Sequence, residues 1–207
     1  MFDLTCEKIF NKNVFDVVGN QTITDDGIAN GFGRTAYSQQ FISTRALIDT
    51  TNANSMQMEC EFKVTKELQD GGQLFLLNYA SNGINGKPNI QIYKKLIFSS
   101  DFNVSVDAKT NSIYKVVFDL VAEGMSYCKI YEDDILKIEK SKENYTDWKQ
   151  NNPLFFYGYY SGENYNSIEI NLQAISINVD GKEVVNGSKT VFDFDTGKNK
   201  ILYLSTE

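Results

Sequence analysis

Met56-Gln57-Met58-Glu59-Cys60-Glu61-Phe62-Lys63-Val64 alternates apolar and polar residues without a break. Successive side chains of a β-strand point to opposite faces. Met56, Met58, Cys60, Phe62 and Val64 therefore share one face, and Gln57, Glu59, Glu61 and Lys63 share the other. This pattern predicts an antiparallel strand with one buried and one solvated face. Working outward, Gln73-Leu74-Phe75-Leu76-Leu77-Asn78-Tyr79 follows a glycine pair and is apolar on both faces. Residues 90–98 and 102–106 read as two further strands. Residues 114–121 are again apolar on both faces, which predicts a central position. Tyr127-Cys128-Lys129-Ile130-Tyr131 runs through Asp133-Asp134 into Ile135-Leu136-Lys137-Ile138, a hairpin signal. Residues 141–152 are polar, hold the only tryptophan, Trp148, and read as a long loop or a short helix.

A phase change marks the last third. Ile168, Ile170, Leu172 and Ala174 alternate in one register, and Ile175, Ile177 and Val179 continue in the opposite one. A one-residue slip would exchange core and solvent faces, so a β-bulge is expected near Ala174-Ile175. Asp180-Gly181 then reads as a hairpin turn into Glu183-Val184-Val185. Many short strands, two prolines and no helical period predict an all-β, two-sheet antiparallel sandwich in a single domain.

Composition removes several functions. With 27 acidic and 20 basic residues the net charge is −7, and the lysines are dispersed among carboxylates, which excludes a nucleic-acid binder. No apolar run approaches the ~20 residues of a membrane span, so no membrane insertion is expected. No basic stretch followed by a long apolar one opens the sequence, so no signal peptide is expected. Histidine is absent, which removes Ser-His-Asp and Cys-His chemistry and histidine-ligated zinc. Cys6, Cys60 and Cys128 are too few and too scattered for a disulfide framework and read as free thiols. Asp25-Asp26 and Glu132-Asp133-Asp134 are read as turn chemistry rather than calcium ligands, and the glycine pairs lack the following helix that a phosphate site needs. No metal and no cofactor are expected.

The order of these pieces resembles concanavalin A-like jelly rolls of the laminin-G-like type. Asp26-Gly27-Ile28 before Gly31-Phe32 is similar to that family's first strand pair, and residues 55–64 to its long early strand. Residues 114–119 with 129–134, Leu154-Phe155-Phe156-Tyr157-Gly158, and Ser167-Ile168-Glu169-Ile170 are similar to its later strands. Residues 17–32 and 175–184 further resemble modules of bacteriophage virion proteins. The resemblance covers residues 17–187 and leaves apolar flanks at 1–16 and 188–207, which are expected to complete a sheet or to mediate assembly. It implies a concanavalin A-like jelly roll of the lectin and glucanase type. It also implies a non-enzymatic binding or structural module of a virion, made in bacterial cytoplasm, whose partners are other virion proteins, a second copy, or a bacterial or host-associated surface glycan. A glycan-active enzyme on the same fold and a cellular carbohydrate-binding module are the alternatives.

The candidate binding residues follow from the strands. Jelly-roll glucanases aim three acids from one strand face at one sugar; Gln57 stands where the first acid would, leaving Glu59 and Glu61 ~7 Å apart. A Gln is neither a nucleophile nor a useful proton donor, so no hydrolysis is expected, and the face is read as a binding surface or a solvated strand face. Tyr157 and Tyr159 offer rings and hydroxyls to a sugar, and Trp148 is expected to be the most exposed aromatic.

Overall fold

A computed structural model describes residues 15–18, 22–24, 27–29, 41–44, 48–65, 73–79, 86–93, 95–152, 154–159, 170–192 and 199–205. These form strands and turns, with no helix among the described residues. One sheet has seven strands in the order β1 (Phe15–Val18), β4 (Phe41–Thr44), β15 (Leu154–Tyr159), β7 (Gln73–Tyr79), β8 (Asn89–Tyr93), β9 (Leu96–Ser99) and β10 (Val104–Asp107). The second has nine. Its main path is β13 (Ile135–Glu143), β12 (Met125–Glu132), β11 (Ile113–Val121), β6 (Ser55–Val64), β16 (Ile170–Val179), β17 (Lys182–Phe192) and β18 (Asn199–Ser205). The short pair β2 (Thr22–Thr24) and β3 (Gly27–Ala29) joins this sheet at β16, while β5 (Ile48–Asp49) and β14 (Asn151–Asn152) pair separately. Every pairing is antiparallel.

The opening alternation is realised in β6. Met56, Met58, Cys60, Phe62 and Val64 are all buried, and the intervening residues are not. They pack with Val116, Phe118, Leu120, Cys128 and Ile130 of the same sheet and with Ile90, Ile92, Ile97 and Val104 of the other. One core thus lies between two sheets, the architecture of a sandwich. Phe62 stacks on Tyr114 with ring centroids 5.8 Å apart, and Phe102 meets Phe118 at 5.7 Å. Cys60 and Cys128 are free and buried, and burial pushes both thiols well above their ordinary range. Ile168, Cys6 and the side chain of Ile170 lie outside the described residues.

The expected phase change is a bulge. Leu172 pairs with Phe62, but Ala174 pairs with Glu61, so Gln173 is the extra residue. Ile175 and Ile177 then pair with Cys60 and Met58. The inserted residue keeps apolar positions on both sides of it opposite the core residues of β6. The turns Asp133-Asp134 and Asp180-Gly181 have positive φ at both central residues, as two-residue hairpins of the favoured twist require. Asp133 Oδ1 accepts the Ile113 N–H at 2.9 Å, and Asp180 Oδ1 accepts those of Asn54 and Ser55 at 2.9 and 2.8 Å. These carboxylates pin turns to neighbouring strands; Asp25-Asp26 lies outside the described residues.

Three expectations change. Residues 90–98 are two antiparallel strands, with Ile92 paired to Ile97 and Tyr93 to Leu96. Ile90, Ile92 and Ile97 are all buried, although one continuous strand would put Ile97 on the opposite face from the other two; the division into two antiparallel strands resolves that parity conflict. The next strand begins at Val104, and Phe102 is a buried residue of the preceding turn. Residues 141–152 contain no helix: β13 continues to Glu143, a turn segment follows, and Asn151–Asn152 forms β14. At the other end, residues 186–192 pair with 199–205, so the C-terminal flank adds a strand to the nine-stranded sheet. Residues 1–14 lie outside the described residues.

Candidate functional site

The face of the nine-stranded sheet turned away from the core gathers the chemistry. Antiparallel register sets its rows. Gln57 pairs with Asp119, which pairs with Tyr127, which pairs with Ser141. In the next row Glu59 pairs with Val117, Val117 with Lys129, and Lys129 with Glu139. In the third, Glu61 pairs with Lys115, Lys115 with Tyr131, and Tyr131 with Leu136. Neighbouring strands lie about 4.8 Å apart, so long side chains in adjacent rows reach one another.

They do so in a fixed pattern. The Gln57 amide donates to Asp119 Oδ1 at 2.8 Å. Lys129 Nζ donates to Asp119 Oδ2 at 3.0 Å, with Glu139 Oε2 at 3.8 Å. Lys115 Nζ is 2.8 Å from Glu59 Oε1, a diagonal pair. The bond from Lys129 to Asp119 and that from Lys115 to Glu59 hold both ammoniums above the usual lysine range. Glu61 and Lys63 are also engaged. Tyr127 and Tyr131 flank Lys129 on β12, both half-buried, and the Lys129 ammonium lies 5.5 Å from the Tyr127 ring centre. Two aromatic rings on one strand therefore frame a hydrogen-bonded polar strip. The arrangement can offer ring faces to apolar patches of a ligand, and amide, carboxylate and hydroxyl groups to its polar ones.

The sequence-derived candidates divide. Gln57, Glu59 and Glu61 stand on this face as expected. Tyr157 and Tyr159 are on β15 of the other sheet, between β4 and β7, and their side chains lie outside the described residues. Trp148 corrects the expectation of an exposed ring: it is fully buried. Its Nε1 donates to the Tyr145 carbonyl at 2.7 Å, and the Thr50 hydroxyl donates to the Trp148 carbonyl at 2.7 Å. The Lys149 N–H reaches the Thr146 carbonyl, and this tight turn sends Tyr145 and Trp148 inward while Asn144, Thr146 and Asp147 stay exposed. The polarity of the segment belongs to its outer residues. Tyr127 and Tyr131 were absent from the candidates, yet their signal was present: with Cys128 read as inward, its neighbours at odd positions must face outward.

A second polar cluster has a structural part. Glu132, the last residue of β12, is buried; its carboxylate lies 2.8 Å from Lys109 Nζ and 3.1 Å from Lys137 Nζ, and accepts the Ser112 hydroxyl at 3.2 Å. The bond from Lys109, helped by those from Lys137 and Ser112, pulls its carboxyl down to about 2 against desolvation, which acts the other way. Its oxygens are filled by the protein's own donors. Among the described residues no group of three or more Cys, Asp and Glu is placed to hold a metal ion.

No protein-family model and no curated protein matches this chain. Solved structures do. The chain is similar to an alginate lyase of polysaccharide lyase family 7, at 12% identity and a TM-score of 0.58, over 86% of this chain and 99% of that one. It is also similar to the botulinum neurotoxin serotype D/C binding domain, at 12% identity and a TM-score of 0.57, over 82% of this chain. A botulinum neurotoxin type C structure described by its interaction with two ganglioside molecules matches at 12% identity and a TM-score of 0.56. The chain spans 44% of the serotype D/C chain and 43% of the type C chain. At such identities the likeness is one of fold, and with the sheets and register above it establishes an all-β, two-sheet antiparallel jelly-roll sandwich.

Proposed function

We propose that the chain is a non-enzymatic glycan-binding module that presents the outer face of β6, β11 and β12 to a surface glycan. The observation that carries this reading is the pair Tyr127 and Tyr131 framing the Gln57–Asp119–Lys129 strip on a rigid sheet. The strip is held by cross-strand contacts before any ligand arrives, so little side-chain entropy is lost on binding. The ganglioside and the alginate named for two of the similar structures support carbohydrate as the class of ligand; both are acidic, and at 12% identity the shared fold carries no information on the charge of the ligand this face takes. A glycan array probed with the full chain tests the reading. Binding should weaken about tenfold or more in Tyr127→Ala or Tyr131→Ala, the loss expected when a stacking ring is truncated. Binding unaffected by either change would place the site elsewhere.

The likeness to a lyase over nearly its whole length favours one second reading, a glycan-active enzyme. The absence of histidine and the ion-paired state of Glu59 weigh against it. Release of soluble oligosaccharide from a polysaccharide panel, abolished by Glu61→Gln, would establish it. The virion setting rests on the resemblance of residues 17–32 and 175–184. Detection of the chain by mass spectrometry in purified phage particles, or its absence from them, decides that part.

A further inference from the structure

We propose that the Tyr127–Tyr131 platform selects uncharged saccharides and rejects those bearing carboxylate, sulfate or phosphate; the proposal rests on the glycan-binding reading above. An acidic sugar laid on a protein face needs a cation whose charge no neighbouring carboxylate already balances, and the planar fork of arginine suits a carboxylate best. The strands β6, β11, β12 and β13 contain no arginine. Their outward lysines are committed: Lys115 to Glu59 at 2.8 Å, Lys129 to Asp119 at 3.0 Å with Glu139 behind it at 3.8 Å, and Lys63 is engaged as well. The pairs are partly shielded, with Lys129 25% and Asp119 33% exposed.

Each ammonium keeps N–H donors beyond the one it gives its carboxylate, but an acidic ligand that reaches them sits beside that carboxylate. Like charges this close repel at a protein surface, and the outward carboxylates Glu59, Glu61, Asp119 and Glu139 outnumber the outward lysines Lys63, Lys115 and Lys129. The chain's net charge of −7 opposes the approach of a polyanion before contact. A neutral sugar meets the opposite conditions. Each carboxylate has about four lone-pair sites. Glu59 and Asp119 therefore keep acceptor capacity for sugar hydroxyls beside their lysine bonds. Gln57 Oε1 is a further acceptor, and the tyrosine rings cover the C–H faces of the sugar. The face is rich in acceptors, and hydroxyl groups are donors.

The test compares neutral polysaccharides (dextran, β-glucan, galactomannan) with acidic ones (alginate, hyaluronan, sialyllactose conjugates) by titration calorimetry of the full chain at low and high salt. The expected result is binding of at least one neutral glycan, insensitive to salt and weakened about tenfold or more by Tyr127→Ala or Tyr131→Ala. Glu59→Gln combined with Glu61→Gln, which removes both carboxylates beside Lys115, is expected to raise affinity for the acidic set; no gain would count against the ion-pair explanation. Tyrosine-dependent binding of an acidic glycan by the unaltered chain would overturn the selectivity and leave the platform standing. Binding of neither class would bring down the platform reading and the selectivity with it. Both tyrosines are half-buried, and Tyr→Phe at each position, which keeps the ring, controls for folding by retaining most of the affinity.

Discussion

Glu132→Gln should make acid unfolding of this protein less steep and its neutral-pH stability lower. The Glu132 side chain is 8% exposed, and the carboxyl is pulled from an ordinary 4.5 down to about 2, first by Lys109 and then by Lys137 and Ser112. A shift of this size corresponds to a ceiling of about 3 kcal/mol of differential stability. The Lys109 side chain is 62% exposed, so solvent screening trims the contribution to about 2 kcal/mol. The sign follows from the lowered value. The carboxylate is favoured in the folded state, so its stabilisation is complete above about pH 5 and is lost as pH falls toward 2. Urea unfolding at a series of pH values reads the effect directly. At pH 7 the variant's midpoint should fall by about 1 M for an m-value of about 2 kcal/mol/M. The gap between the two proteins should close on approaching pH 2, where the native acid is itself becoming neutral. A gap that persists unchanged at pH 2, or that is absent at pH 7, would refute the assignment of this carboxylate as a stabilising ion-pair centre.

Other expectations follow from the packing. Phe62→Ala should cost roughly 3–5 kcal/mol in chemical denaturation, because a fully buried ring stacked on Tyr114 leaves both its transfer energy and a cavity behind; a loss under about 1 kcal/mol would mean the site collapses freely. The thiols of Cys60 and Cys128 should resist a thiol-reactive dye in the native protein and react on unfolding, since burial both blocks access and disfavours the thiolate. Gly181→Ala should destabilise by about 1–2 kcal/mol, seen as a lower thermal midpoint: its φ is +78°, and open space around the position means that backbone strain alone sets the cost.

Much of the architecture is a local property of the chain. Period two in residues 56–64 is enough to name a strand and its buried face, because alternation is imposed by the geometry of each residue and its next neighbour. The parity change near residue 174 locates a bulge to within a residue or two for the same reason, since only an inserted residue keeps both apolar sets on one side. The absence of histidine and the acidic balance limit the chemistry without any structure. Tertiary structure decided what depends on residues distant in the chain. Trp148 stands in polar sequence but is enclosed, because a turn and a bond from Thr50, nearly a hundred residues earlier, fold its segment inward. Lys115 and Lys129 read as scattered surface charges; cross-strand register alone pairs them with Glu59 and Asp119 and leaves the tyrosines of β12 framing a closed set of ion pairs. Alternation names the face on which a side chain stands. Its partners there are set by which strand lies alongside and in what register, and that is a non-local choice made by the packing of the whole sheet.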